Sequence, residues 1–362
     1  MKPPILPTGL SDLIAARFPR GTIVEAQALL PDSARGGDAK AAGYGCPYRI
    51  VVRDSEKRTW SLVFRTATAN EFGHDRRSDR AEGALLAYDT FHLIPRSARM
   101  LDVGALTAEG RLLSLEGTGE FYLLTEYVEG APYADDLRRI AREGLASVDE
   151  ARCDALANYL SVLHAQRIEG DAGYRRAIRD LLGHGEGIFG IVDGYPSDTP
   201  AAPAERLQRI EQSCLDWRWR LRGRTRRLSR THGDFHPFNI VFREGSDFSL
   251  LDASRGCQGD PADDVSALAM NYVFFAIDHP LAWRAGLGTL WRRFWTTYLS
   301  KTDDEELLDV VAPFLAWRGL VVACPRFYPG LSTQGRNLLL GLVERALAAD
   351  HFEPASAEEL FR

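Results

Sequence analysis

The chain has 362 residues, a formal net charge of −6, 45% hydrophobic and 26% charged residues, which is enough apolar material for two domains or lobes and no basic excess of the kind nucleic-acid binding requires. Its five cysteines, Cys46, Cys153, Cys214, Cys257 and Cys324, lie far apart with no Cys-x-x-Cys spacing for a cysteine zinc site or thiol redox work, and most should be small buried hydrophobes. Residues 1–7 carry no apolar signal-peptide region, and no run approaches the roughly eighteen apolar residues of a membrane span; a cytoplasmic protein without membrane or nucleic-acid partners is expected.

In chain order, Ser11 is placed to cap a short helix that Pro19 closes, and a first strand follows over 22–26. Gly36, Gly37, Gly43 and Gly45 separate it from a second strand over 48–53. Strand, glycine loop, strand lets backbone amides approach phosphate, although surface loops share this composition. A charged turn at 54–58 leads into a third strand over 59–66. From about Asp79 a helix is expected, with Leu85, Tyr88 and Phe91 forming an apolar stripe. Two more strands are expected near 100–103 and 121–127, and the chain should divide into lobes at 1–128 and 129–362.

Ser147-Val148-Asp149-Glu150 reads as a capping box opening a helix that carries Leu156, Tyr159, Leu160 and Leu163. Residues 193–203 read as a loop and 205–219 as a helix. The six arginines of 220–230 read as a solvated helix face, since no aromatic platform is interleaved with them. Residues 265–277 form an apolar helix. Trp283, Trp291, Phe294, Trp295 and Tyr298 follow as an aromatic stripe of the kind that is usually core.

The informative stretch is His232-Gly233-Asp234-Phe235-His236-Pro237-Phe238-Asn239, with Asp252 thirteen residues beyond Asn239. Residues 239–242 and 248–251 are apolar runs about a polar, glycine-containing turn, which predicts a β-hairpin. Asn239 opens its first strand and Asp252 closes its second, so the two oxygen ligands should sit at the same end of the ladder, where they suit a hard cation such as Mg²⁺. Asp234, in the loop leading in, is left to orient a hydroxyl and accept its proton. His232, Asp234 and His236 also form His-x-Asp-x-His, a pattern open to a metal-dependent hydrolase. However, no second histidine-rich segment completes a shell, and Pro237 breaks the strand that would present the three.

The His-Gly-Asp-x-x-x-x-Asn motif, Asp252, and then Gly259-Asp260-Pro261-Ala262-Asp263-Asp264-Val265 together resemble the aminoglycoside phosphotransferase and choline kinase-like family, relatives of the protein kinases. The resemblance implies an α+β, bilobal, protein-kinase-like fold: a small antiparallel β-sheet N-lobe with one helix, and a large, mainly helical C-lobe. It implies Asp234 as catalytic base, Asn239 and Asp252 as metal ligands, and Asp264 as the buried carboxylate that braces the loop, with His232, His236 and Asp260 as structural supports. Leu160-Ser161-Val162-Leu163-His164-Ala165 is similar to a family segment in which His164 would be structural.

The family's third strand carries a lysine that grips the α- and β-phosphates. Here Arg65 stands at the matching position, and no lysine occurs between Lys57 and Lys301. Guanidinium is larger, planar and bidentate, so the exchange is not neutral. Glu82 is the candidate partner of that cation, and the run ending Glu126-Tyr127-Val128-Glu129-Gly130 resembles the family's hinge, where the backbone at Glu126 and Val128 would bind adenine. The implied reaction is Mg²⁺-dependent transfer of the γ-phosphoryl group of ATP or GTP to a hydroxyl of a small molecule. A nucleotide-binding pseudokinase with a regulatory role is the alternative that Arg65 favours.

Overall fold

A computed structural model of the chain describes residues 6–18, 20–29, 47–253 and 255–362. The chain divides into two compact units, Met1–Leu124 and Thr125–Arg362. The glycine-rich segment, with Gly36, Gly37, Gly43 and Gly45, lies outside the described residues, as do Pro19 and Cys46.

In the first unit, α1 (Leu10–Arg17) precedes β1 (Thr22–Ala28), β2 (Tyr48–Arg53) and β3 (Thr59–Phe64). The three strands form an antiparallel sheet in the order β1-β2-β3. Its small core is Leu10 and Ile14 from α1 against Ile50 and Val52 from β2. The N-cap of α1 is Gly9, without a side-chain cap, so Ser11 falls inside the helix. The charged turn forms because Asp54 Oδ1 accepts the N–H groups of both Glu56 and Arg58 at 2.9 Å, a carboxylate standing in for missing ladder partners. Helix α2 (Arg77–Thr90) starts two residues before Asp79, whose carboxylate accepts the Arg76 N–H at 2.8 Å. Its expected stripe of Leu85, Tyr88 and Phe91 is only half-buried.

The next strands, β4 (Gly104–Leu106) and β5 (Leu112–Ser114), pair only with each other, and β4 begins beyond the 100–103 expected for it. The strand expected over 121–127 is not formed: Phe121, Tyr122, Leu123, Leu124 and Tyr127 are exposed and outside any ladder. Apolar, β-prone residues satisfy the composition of a strand, yet a strand needs a neighbouring backbone to take its N–H and C=O groups. Among the described residues none does so here.

The second unit opens with β6 (Ala131–Pro132), followed by α3 (Tyr133–Glu143), α4 (Ser147–His164), α5 (Asp171–Gly183), α6 (Ile188–Asp193) and α7 (Ala204–Leu221). Then come β7 (Ser229–Arg230), β8 (Ile240–Phe242), β9 (Phe248–Leu250), β10 (Gln258–Gly259), α8 (Pro261–Ile277), α9 (Pro280–Ala282), α10 (Gly288–Thr302), α11 (Glu306–Val310), α12 (Ala312–Ala323) and α13 (Thr333–Ala348). Helix α4 begins at Ser147 with Ala146 at its N-cap. The reciprocal partner is Asp149, which accepts the Ala146 N–H at 2.7 Å and pairs with Arg139; the cap sits one residue earlier than the sequence pattern implied.

Helix α8 is buried nearly all round, which explains why its sequence from Val265 on is mostly apolar, interrupted only by Ser266 and Asn271. Trp283, Trp291, Phe294, Trp295 and Tyr298 are all buried in the core, together with Cys153, Cys214 and Cys324, whereas Cys257 is exposed. The arginine-rich run is not a helix face. Helix α7 ends at Leu221, and Arg227, in a short 3-10 turn, is buried.

Candidate active site

The hairpin forms as the sequence pattern requires. Ile240 pairs with Leu250, Val241 with Ser249 and Phe242 with Phe248, and β6 adds on the other side of β8. Arg152 of α4 fastens the turn, donating to the carbonyls of Gly245 at 2.7 Å and Arg243 at 2.9 Å while its guanidinium lies over the Phe242 ring. At the opposite end, Leu251 N–H donates to Asn239 C=O at 2.8 Å. Asp252 follows directly, with a left-handed φ of 50°. Asn239 and Asp252 are thus held at one end of the ladder by backbone bonds.

The loop before the hairpin is anchored from beneath. Asp264, fully buried in the first turn of α8, accepts the backbone N–H groups of His232 at 2.7 Å and Gly233 at 2.9 Å, and its Oδ2 lies 3.2 Å from His164 Nε2. His164 Nδ1 is in turn 2.7 Å from the Tyr298 hydroxyl. Burial alone would raise the Asp264 carboxyl. The bonds from His164, His232 and Gly233 outweigh it and hold the group below the usual carboxylate range. Gly233 has φ +84°, and a Cβ there would stand 2.6 Å from the Gly256 carbonyl oxygen; glycine is required on both counts.

Phe235 is buried and stacks on Tyr159, with the His232 ring at its edge. This pins the loop and leaves Asp234 above it. Asp234 Oδ2 accepts from Asn239 Nδ2 at 3.1 Å and lies 3.3 Å from His236 Nε2. Its Oδ1 lies 3.1 Å from Arg255 Nη2 and 2.9 Å from Arg318 Nη1. Burial works against ionisation, but His236, Arg318 and Arg255 together hold the carboxyl well below its ordinary range.

Because the Asn239 amide nitrogen is committed to Asp234, its carbonyl oxygen is the free end. Among the described residues nothing donates to it. An amide oxygen at the same end of the ladder as the exposed Asp252 is a donor set whose chemistry fits a hard cation. The His-x-Asp-x-His alternative has no such convergence. His232 Nδ1 accepts the Asp234 N–H at 3.2 Å and faces Phe235, and among the described residues no three His, Cys, Asp or Glu side chains could hold a metal ion together.

Asp260 caps α8 through the Ala262 N–H at 3.0 Å, accepts the Tyr174 hydroxyl at 2.8 Å and pairs with buried Arg227. In the first unit Arg65 is exposed just past the end of β3, and Glu82 is exposed on α2. Among the described residues no ion pair joins them. Glu126 and Val128 lie outside any strand.

The model of the phosphotransferase enzyme family matches residues 49–301, more than half of the chain. The chain belongs to the phosphotransferase enzyme family. This phosphotransferase is α+β, with small antiparallel sheets and a mainly helical second unit. Among solved structures it is similar to a glucosamine kinase, at 16% identity and TM-score 0.42, over 94% of this chain and 96% of that one. It is also similar to a choline kinase from Cryptosporidium parvum, at 12% identity and TM-score 0.39, over 93% and 91%. A Plasmodium vivax ethanolamine kinase matches at 14% identity and TM-score 0.34, over 93% and 80%. No curated protein matches the chain.

Three charged residues of the phosphotransferase escape its sequence motifs. Arg255 and Arg318 reach Asp234, and Arg227 fastens Asp260. Two local signals existed: Arg255 lies three residues past Asp252, and Arg318 sits in an otherwise apolar helix, a flag for a buried cation with a job.

Proposed function

We propose that this phosphotransferase moves the γ-phosphoryl group of ATP or GTP to a hydroxyl of a small molecule, with Mg²⁺ as the metal. The observation that carries the reading is the mooring of Asp234: Asn239 and His236 fix its carboxylate beside the hairpin mouth, while Asp264 secures the backbone of the loop. Asp234 orients the acceptor hydroxyl and takes its proton. The hydroxyl oxygen forms a bond to the γ-phosphorus, the bond from that phosphorus to the β-γ bridging oxygen breaks, and the nucleoside diphosphate leaves with the bridging electron pair.

Asn239 and Asp252 would hold the cation, which when bound offsets phosphate charge. Arg65 clamps the phosphates, Glu82 is the partner proposed for that arginine once nucleotide is bound, and the backbone at Glu126 and Val128 receives the base. The N-lobe, residues 1–128, carries the nucleotide and residues 129–362 carry the acceptor; the donor's abundance in the cytoplasm makes that the working compartment.

The test is Asp234→Asn, with phosphoryl transfer and nucleotide affinity measured side by side. Transfer should vanish while affinity stays within a few-fold, because Asp234 meets the acceptor and not the phosphates. Near-full turnover would remove Asp234 from the mechanism. The same assay addresses nucleotide binding without transfer, the reading favoured by Arg65 in place of lysine and by the lack, among the described residues, of an ion pair between Arg65 and Glu82. A wild-type protein that binds nucleotide and never turns over fits that role.

A further inference from the structure

A carboxylate offers about four acceptor sites, and those of Asp234 are taken. Asn239 and His236 sit on Oδ2, Arg255 and Arg318 on Oδ1. An acceptor hydroxyl can reach this carboxylate only if one of the four withdraws. Asn239 is bound to the loop backbone as well, donating to the Asp234 carbonyl at 3.2 Å, and His236 also accepts the Phe238 N–H through Nδ1. The arginines are the displaceable pair. Their guanidinium groups lie 4.0 and 4.1 Å from the Trp317 ring, whose N–H is tied to the Glu186 carbonyl at 2.8 Å.

Arg318 has capacity to spare. Its Nε and Nη2, the edge that pairs side-on with a carboxylate in Arg206 and Arg227, are buried without a hydrogen-bond partner, and the side chain as a whole is 6% exposed. The carboxylate facing that edge, Asp263 Oδ1, stands off at 3.5 Å from Nη2 and 3.8 Å from Arg255 Nη2 and accepts no hydrogen bond. Burial pushes Asp263 up to about 6, which weakens it as a counter-ion. Burial and the neighbouring Arg318 push Arg255 down, as expected where positive charge is under-compensated. Two guanidinium groups face the position of the acceptor hydroxyl, so an acceptor bearing an ammonium group there would be repelled.

We propose that Arg318 and Arg255, shelved on Trp317, form an anion subsite beside Asp234, and that the acceptor is an alcohol carrying a carboxylate or phosphate group next to its reactive hydroxyl. The inference rests on the phosphotransfer reading above. The acceptor's oxyanion draws Arg318 from Asp234 Oδ1, which frees an acceptor site for the hydroxyl.

The experiment uses four matched three-carbon alcohols, glycerate, glycerol phosphate, glycerol and serinol, with Mg-ATP at constant ionic strength and nucleoside diphosphate release as readout. One or both anionic compounds should exceed glycerol and serinol in kcat/KM by about tenfold or more, the worth of one charge-assisted hydrogen bond; which of the two leads tells carboxylate from phosphate. Arg318→Met should abolish the preference, mainly through KM, and Arg318→Lys, which keeps the charge without the bidentate edge, should restore part of it. Glycerol or serinol used as well as the anions would overturn the subsite, as would a preference that survives in both Arg318→Met and Arg255→Met.

Should none of the four turn over, malonate titrated onto the wild-type protein must still raise its melting temperature above a chloride control, and Arg318→Met must remove that rise; no rise overturns the subsite. Failure of the parent reading looks different. Mg-ATP then neither stabilises the protein nor is consumed with any alcohol, whatever malonate does.

Discussion

The Nε and Nη2 edge of the Arg227 guanidinium meets the two carboxylate oxygens of Asp260 at 2.9 and 3.0 Å, in a site where both side chains are almost wholly buried. Asp304 and Glu306 neutralise the other side of the same arginine. The turn after α7 is thereby bound to the start of α8, the helix that carries Asp264.

Removing one partner of a buried pair leaves a charge with no compensation, so Arg227→Met should cost about 3–5 kcal/mol of stability. Urea unfolding of the purified variant measures it. A loss below about 1 kcal/mol would mean that the pair is energetically neutral and only sets the position of α8.

Stability should also depend on pH through Asp263. Burial raises its carboxyl to about 6, against the pull of Arg255 and Arg318, from an unfolded value of about 3.9. Between those values the folded chain keeps a proton that the unfolded chain has released, so stability falls as pH rises through about 6. Asp234 and Asp264, held below their ordinary range, act in the opposite sense, and their contribution disappears as pH drops below about 4. Asp263→Asn should therefore flatten the slope between about pH 4 and pH 6 and leave the more acidic limb in place. Identical slopes in variant and wild type would assign the titration to another group.

At Gly233, alanine would have to adopt a left-handed φ and push its Cβ toward the Gly256 carbonyl. The conformational part alone costs about 1–2 kcal/mol. Gly233→Ala should lose phosphoryl transfer by a large factor while keeping nucleotide affinity, because the loop that aims Asp234 is shifted. Unchanged kcat would show that the loop absorbs the strain away from the carboxylate.

For Arg65, a lost hydrogen bond to charged phosphate is worth about 1.5–3 kcal/mol, so Arg65→Ala should weaken triphosphate affinity about ten- to a hundred-fold and nucleoside affinity hardly at all. Arg65→Lys should lower activity if the site is fitted to a guanidinium. Unchanged triphosphate affinity in Arg65→Ala would move the clamp to another arginine such as Arg53.

The hairpin and the anchoring of the loop before it were legible because their information is local. A hairpin needs only two apolar runs about a polar turn, and Asp264 lies in a compact motif that begins seven residues after Asp252. Arg255 was within reach of the same reading, but its bond to Asp234 spans 21 residues and depends on how the segment after β9 folds back. Arg318 comes from a helix whose approach no spacing encodes. Arg227 was hidden differently: six arginines in eleven positions look like one solvated surface, and only tertiary packing separates the buried one from its neighbours. The run 121–127 failed for the converse reason, since β-prone composition specifies a strand's side chains and not the partner backbone it needs.

Asp264 holds the loop by the N–H groups of residues 232 and 233, which every residue but proline possesses. The grip is therefore blind to side-chain identity at position 232 and demands only the glycine conformation at position 233. Substitution at His232 removes the ring's contact with Phe235 and its acceptor for the Asp234 N–H, while the two backbone bonds to Asp264 remain. Two of the loop's moorings thus survive a change at that position, and a directed library there should return active variants more often than one at Gly233 or Asp264.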